Sequence, residues 1–288
     1  MKRALVFGAS GQLGDALLPL LRNAHCEVIA VSRQQYEDSD GVHWLVGSLD
    51  DEKAIAPSDC DVVFSLGPLD AFARWQERVG PVAPRVVAFG SISVLTKSAS
   101  SDAVERDVAA RLRTAEAALF AFGAGHRVGM TVLRPTLIYG RGRDRTLSRI
   151  VQLAQRYGVF ALPRNAIGLR QPVHGDDLAA AALACLRSMH AVGRTYALPG
   201  GETLRFNEMV ARTLAVLHPR PRLLQLPMPL FRTLVAAARG FGMFGAIGPA
   251  MLDRLDTDLV FDAADARRDL NYIPRMFAPD AAMFTPQR

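Results

Sequence analysis

The sequence predicts an α/β protein built on a doubly wound parallel sheet, with a smaller, mostly helical C-terminal lobe. Three observations carry that expectation. Short apolar runs alternate with helical patterns as far as Leu198, as in strands linked by crossover helices. Three glycines, Gly8, Gly11 and Gly14, stand between the first apolar run and the first helical pattern. With 288 residues, half of them hydrophobic, the chain can bury a full core as one domain or slightly more.

Arg3–Phe7 reads as the first strand, and an amphipathic helix follows over roughly 11–24. Glu27–Val31 reads as a second buried strand ending in Ser32-Arg33, and Val42–Val46 as a third. Gly47-Ser-Leu-Asp50 leads into a short helix, and Asp61–Ser65 is the fourth strand, with Leu66-Gly67-Pro68 as the turn at its end. Pro84–Phe89 is the fifth strand, followed by Gly90-Ser91-Ile-Ser93. A long helix is expected from about Asp102 to Phe122, and Gly129–Arg134, closed by Pro135, is the sixth strand.

Beyond Tyr139 the pattern loosens into a polar loop, Gly140–Arg145, and a helix over 146–158. Gln171–His174 is a strand end entering a helix over 177–188, for which Asp176 or Asp177 is a natural N-cap. Thr195–Leu198 is a strand and 205–217 a helix. The stretch 223–252 is rich in Leu, Met, Phe and Gly but interrupted by Arg232, Arg239 and three prolines. Packed helices of the smaller lobe are expected there, with a membrane-surface helix as the alternative.

The glycine run has the context of a dinucleotide fingerprint: strand, tight turn, helix N-terminus. Gly8 can turn sharply off the strand, Gly11 lets backbone approach a pyrophosphate, and Gly14 lets the helix pack closely. Free N–H groups at the helix start then face the anion. At the end of the second strand an acidic residue would accept a bond from a ribose 2′-hydroxyl. Ser32-Arg33 stands there instead, a pair suited to a 2′-phosphate, because a guanidinium grips phosphate with two parallel bonds. NADP(H) is therefore expected ahead of NAD(H).

Composition excludes several classes. The net charge of +6 comes from scattered basic residues with no dense run, so nucleic acid is not an expected partner. No long uncharged apolar run spans a membrane, and the glycines cut short the apolar start, so a secretory leader is not expected. Cys26, Cys60 and Cys185 are far apart and lack a C-x-x-C pattern, consistent with reduced thiols in a cytoplasmic protein. No metal-ligand spacing, no G-x-S-x-G elbow and no G-x-x-x-x-G-K-[ST] loop occurs.

Several features together resemble one family. They are Gly8-x-x-Gly11-x-x-Gly14, Ser32-Arg33, the turn after Ser65, Ser91 after the fifth strand, Arg134-Pro135-x-x-x-Tyr139-Gly140, and Pro172-Val-His174-x-Asp176-Asp177. This succession resembles the extended short-chain dehydrogenase/reductases, which include sugar-nucleotide epimerases and dehydratases. The closing stretch from Asp258 to Phe277 is similar to an atypical branch with relatives of a respiratory complex I accessory subunit. The resemblance implies a Rossmann core over 1–140, joined by 172–200, and a substrate lobe over 141–171 and 201–288. It implies a cofactor site of Gly8, Ser10, Gly11, Gln12, Leu13, Gly14, Ser32, Arg33, Leu49, Leu66, Gly67, Pro68, Arg134 and Pro135.

That family's reaction uses a tyrosine and a lysine spaced Y-x-x-x-K on one helix face. A phenol, with a pKa of about 10, needs roughly 4 kcal/mol of differential stabilisation of its anion to work near neutral pH, which the lysine helps to supply. Here none of Tyr36, Tyr139, Tyr157, Tyr196 and Tyr272 is followed by such a lysine, and the only lysines are Lys2, Lys53 and Lys97. If Glu116 marks the register, Val108 and Leu112 take the two positions. The remaining catalytic candidates are Ser91, which fits the family's serine, and Tyr139. His174 joins strand to helix, and Arg141, Arg143 and Arg145 either bind an anionic substrate group or are solvated. The expected function is an NADP(H)-dependent oxidoreductase or sugar-nucleotide epimerase/dehydratase-like enzyme acting on a small molecule, anionic if the Gly140–Arg145 arginines bind it. The alternative is a non-catalytic NADP(H)-binding structural or redox-sensing protein, with a homodimer or protein partner open in either case.

Overall fold

The computed structural model describes residues 2–51, 55, 59–144, 146–240 and 254–284, with the backbone alone at 238–240. Seven parallel strands form the central sheet: β1 (Lys2–Phe7), β2 (Cys26–Ser32), β3 (Val42–Val46), β4 (Val62–Ser65), β5 (Arg85–Phe89), β6 (Gly129–Pro135) and β11 (Arg194–Leu198). Their spatial order is β11-β6-β5-β4-β1-β2-β3, so the strand order reverses between β1 and β4. In open parallel sheets a ligand lies at that reversal, outside the carboxyl ends of the strands.

Alternating side chains of the strands feed two buried layers. Ala4 and Val6 join α1 (Gln12–Asn23) and α6 (Gly175–Arg187) on one face. Leu5 and Phe7 join α2 (Leu69–Val79) and α4 (Ala103–His126) on the other. Both faces are covered, which is why the strands read as near-continuous apolar runs. The helix α2 was not among the expected elements, although Pro68 opens it and Leu69, Phe72, Ala73 and Gln76 bury one helical stripe. After β5 comes the short α3 (Ser93–Thr96). Asp102 caps α4 by accepting from the Val104 N–H at 2.8 Å, and the helix runs to a left-handed Arg127, past the expected end.

A third buried cluster lies beyond the sheet, among Leu147, Ile150, Leu162, Phe206, Met209 and Phe277. Three two-stranded pairs frame it: β7 (Ile138–Tyr139) with β10 (Val173–His174), β9 (Leu169–Arg170) with β12 (Leu204–Arg205), and β8 (Val159–Pro163) with β13 (Arg222–Leu226). The helices there are α5 (Leu147–Tyr157), α7 (Phe206–Ala215), α8 (Met228–Gly240) and α9 (Ala264–Leu270). The expectation of helix from residue 223 fails over 223–226, where the chain pairs in parallel with β8. Residues 241–252 of that stretch lie outside the described residues, as does most of the short helix expected after Asp50. Among the described residues no helix is long and apolar enough to cross a membrane, and no cluster of His, Cys, Asp or Glu could hold a metal ion.

Candidate functional site

The glycine loop sits at the carboxyl end of β1, beside the strand-order reversal. Gly8 has φ +74°, and a Cβ there would meet the Leu66 carbonyl carbon at 3.2 Å, so the β1 turn lies directly against the turn after β4. A Cβ on Gly14 would stand 1.9 Å from the Ala9 carbonyl oxygen, so α1 rests on the loop with no room for a methyl group. The N–H of Gly11 donates to the Gly8 carbonyl at 3.0 Å, and no side chain caps α1. The first-turn N–H groups are thus left for another acceptor. Beside them the Gln12 side-chain amide nitrogen is buried without a hydrogen-bond partner. Close backbone contact, uncapped donors and an orphaned amide all fit a dinucleotide pyrophosphate.

At the end of β2, Ser32 is buried, and its hydroxyl lies 3.0 Å from that of Ser10 while accepting from the Gln34 N–H at 3.1 Å. Arg33 is exposed and has no partner among the described residues. Leu49 is buried and would touch a Cβ on Gly67 at 3.7 Å, and Pro68 opens α2. The structure therefore brings Gly8, Leu49, Leu66 and Gly67 to one edge, with the Ser10–Ser32 pair at the adjoining strand end.

Arg134 is placed differently. Its Nε donates to Glu116 Oε1 at 2.8 Å and its Nη2 to Oε2, a two-pronged pair with a carboxylate buried in α4. The pair lies behind Gly90, where a Cβ would be 3.2 Å from Glu116 Oε1. Pro135 accepts from the Ile92 N–H at 3.2 Å, and the Ser91 hydroxyl accepts from the Ser93 N–H at 3.1 Å. The guanidinium of Arg134 and the hydroxyls of Ser32 and Ser91 thus already have partners within the protein.

Tyr139 is only 1% exposed. Its hydroxyl donates to the Met276 carbonyl at 3.4 Å, and its ring stands edge-on to His174 and Phe277. Burial pushes its pKa up from the ordinary phenol value, away from use at neutral pH. His174, not Asp176 or Asp177, caps α6: the helix starts two residues before the expected position, and Nδ1 accepts from the Asp176 N–H at 3.2 Å. That bond needs an unprotonated Nδ1, and burial lowers the ring's pKa accordingly. The two aspartates instead hold arginines, Asp176 gripping Arg141 at 2.8 and 3.0 Å and Asp177 gripping Arg275 at 2.9 Å.

The polar loop after β7 folds back over the glycine loop. Gly140, Arg141 and Gly142 have φ of +104°, +134° and +67°, and a Cβ on Gly140 would run into the His174 ring. Arg141 Nη1 donates to the Asp15 carbonyl at 3.1 Å, while Arg143 Nη1 donates to the Ser10 carbonyl and lies 3.4 Å from the Asp15 carboxylate. Burial raises the pKa of Asp15, against the pull of these two arginines. Arg145 lies outside the described residues.

On α4, Val108, Leu112 and Glu116 are four residues apart and share one face, with Leu112 packed on the buried layer. Three residues earlier, Glu105 accepts from both terminal nitrogens of Arg254, accepts from the Ser100 hydroxyl at 2.7 Å, and lies 3.4 Å from Lys97 Nζ. The Arg254 bonds hold the Glu105 pKa down to about 2, against the effect of burial. A depressed carboxylate pKa adds stability that is complete above the unfolded value of 4.5 and lost as pH falls toward 2. Glu105→Gln will therefore lower the melting temperature near neutral pH. The gap to the unmodified protein will shrink in melting curves taken below pH 4.5. Nothing in the sequence linked Glu105 to Arg254, or Arg143 to Ser10, because these partners are remote in the chain; the Gly140–Arg145 arginine loop was the available signal.

Comparisons with known proteins agree with this architecture. Residues 4–83 match the model of the NAD dependent epimerase/dehydratase family. Over 307 aligned positions the chain is 28% identical to the mitochondrial NADH dehydrogenase [ubiquinone] 1 alpha subcomplex subunit 9 of Arabidopsis thaliana, covering 94% of this chain and 74% of that protein. The resemblance to an atypical extended short-chain dehydrogenase/reductase stands on these two findings. Among solved structures, UDP-glucuronic acid 4-epimerase from Bacillus cereus in complex with NAD superposes with a TM-score of 0.71 at 13% identity, over 96% of this chain and 94% of that one. UDP-glucose 4-epimerase from Thermotoga maritima with UDP-glucose gives 0.71 at 13%, over 99% and 97%. MoeE5 in complex with UDP-glucose and NAD gives 0.70 at 18%, over 96% and 94%. These likenesses show the fold.

Proposed function

We propose that this epimerase/dehydratase-fold protein binds NADP(H) and holds it without using it in tyrosine–lysine acid–base chemistry. The observation that carries the reading is the face of α4 at Val108, Leu112 and Glu116, where two apolar side chains stand in register with a buried, arginine-bound carboxylate. Neither apolar group moves a proton. The other candidates support the same reading, since Tyr139 is buried with a raised pKa and the Ser91 hydroxyl is engaged by backbone. Bound cofactor would supply hydride chemistry. This chain's residues would hold its phosphates at the α1 N-terminus and, through Arg33 beside the Ser10–Ser32 hydroxyls, its 2′-phosphate.

Two of the three solved structures named above, UDP-glucuronic acid 4-epimerase and MoeE5, carry NAD, so the preference for NADP(H) rests on this chain's own strand end. From Ser32 through Tyr36 there is no carboxylate to take a ribose 2′-hydroxyl. Arg33→Ala will weaken NADPH binding by ~10-fold or more, while NADH binding changes little, as read by calorimetric titration. Equal loss for both nucleotides would remove the 2′-phosphate assignment. The Arabidopsis relative is named as a subunit of a subcomplex, and in that light this chain would dock on partner proteins, with the bound dinucleotide stabilising its fold. NADPH that stays bound through purification, raises the melting temperature and is not oxidised by carbonyl compounds or nucleotide sugars is the expected result. Steady turnover with any of these would refute the non-catalytic reading.

A further inference from the structure

We infer that Arg143 is a pyrophosphate-binding residue, a cation brought from the loop after β7 to close the glycine loop from its open side. This rests on the dinucleotide reading of that loop and goes beyond it, because Arg143 belongs to no part of the glycine fingerprint. Three observations carry it. Arg143 touches the loop itself, through the Ser10 carbonyl and the Asp15 carboxylate. Both contacts use Nη1, and Nε and Nη2 have no partner among the described residues, in a side chain that is 37% exposed. The α1 N-terminus adds positive potential beside these paired charges. Arg141, Arg143 and the uncapped α1 N-terminus converge there; among the described residues Asp176 is taken by Arg141 and Asp177 by Arg275, and Asp15 faces Arg143. An anion with two adjacent charges satisfies free planar donors and uncapped N–H groups together.

The backbone that delivers the arginine has little freedom. Gly140, Arg141 and Gly142 all lie at positive φ, and the Gly140–His174 contact fixes where the loop leaves β7. Arg141, tied to Asp176 and to the Asp15 carbonyl, anchors the loop to α6 and α1. Arg141 is thus a positioning residue and Arg143 the ligand-facing one. A nucleotide-sugar diphosphate has the same chemistry, but contact with Ser10 assigns Arg143 to the dinucleotide.

The test is calorimetric titration of the full chain, unmodified and as Arg143→Ala and Arg143→Lys, with NADPH, 2′-AMP and UDP-glucose. 2′-AMP keeps the 2′-phosphate and lacks the pyrophosphate. Arg143→Ala is expected to weaken NADPH by ~10-fold or more and to leave 2′-AMP unchanged, with Lys recovering part of the loss because it keeps charge without the planar fork. Arg143→Gln, which keeps polar bulk, replaces the Ala variant if thermal melts show that one unfolded. Unchanged NADPH affinity, equal losses for NADPH and 2′-AMP, or a loss confined to UDP-glucose overturns the assignment. If the unmodified protein binds none of the nucleotides, the dinucleotide reading itself falls, an outcome distinct from a mutant that merely matches the unmodified protein.

Discussion

Gly14→Ala will lower stability by about 3 kcal/mol, the upper end of overpacking costs, and will abolish tight NADPH binding. The added methyl would stand 1.9 Å from the Ala9 carbonyl oxygen, and the obstruction is backbone, not the movable end of a side chain. Relief requires α1 to rise from the loop, which shifts the uncapped N–H groups away from the anion. For a chain of this size the loss corresponds to ~6–12 °C in melting temperature. Gly125→Ala supplies the control: it lies in α4 with nothing within 4 Å of a new Cβ, and there alanine should stabilise slightly. A Gly14→Ala variant that melts with the unmodified protein and binds NADPH as well would show that α1 does not rest on Ala9 as described.

Arg134→Met will be at least as damaging, at about 3–5 kcal/mol, because it leaves the Glu116 carboxylate buried without its cation. The companion double variant separates this from simple loss of packing. Glu116→Leu with Arg134→Met removes both charges, and most of the stability should return. Chemical denaturation of the two single variants and the double variant measures the coupling. Near-additive losses would mean that the pair contributes nothing beyond side-chain volume. NADPH affinity should follow stability in this series, since the guanidinium is committed to Glu116.

The sheet was legible because its strands are buried on both faces, so each appears as an unbroken apolar run between turn residues. The glycine loop was legible because Gly8, Gly11 and Gly14 answer local backbone demands, which sequence spacing records directly. Helix α2 is equally readable in its apolar stripe, which follows directly on the turn that ends at Pro68. By contrast, Leu223–Leu226 becomes a strand only because Val159–Pro163 lies alongside, and no local pattern announces a partner so remote. Tyr139 shows the same limit on the functional side. Its place in the sequence suited chemistry, whereas Met276 and Phe277, far along the chain, enclose it. Ion pairs such as Glu105–Arg254 are likewise properties of the assembled surface.

The span of that last pair has a temporal consequence. Glu105 and Arg254 are 149 positions apart, and Arg275 reaches Asp177 across 98. Chains are synthesised at about 5–20 residues per second and fold from the N-terminus. The strands through Leu198 therefore leave the ribosome seconds before the residues that fasten α4 and α6. A nascent or C-terminally shortened chain carries the glycine loop and all seven sheet strands, but Glu105 lacks its arginine and Asp177 its clamp. The dinucleotide platform precedes its fastenings in the order of synthesis.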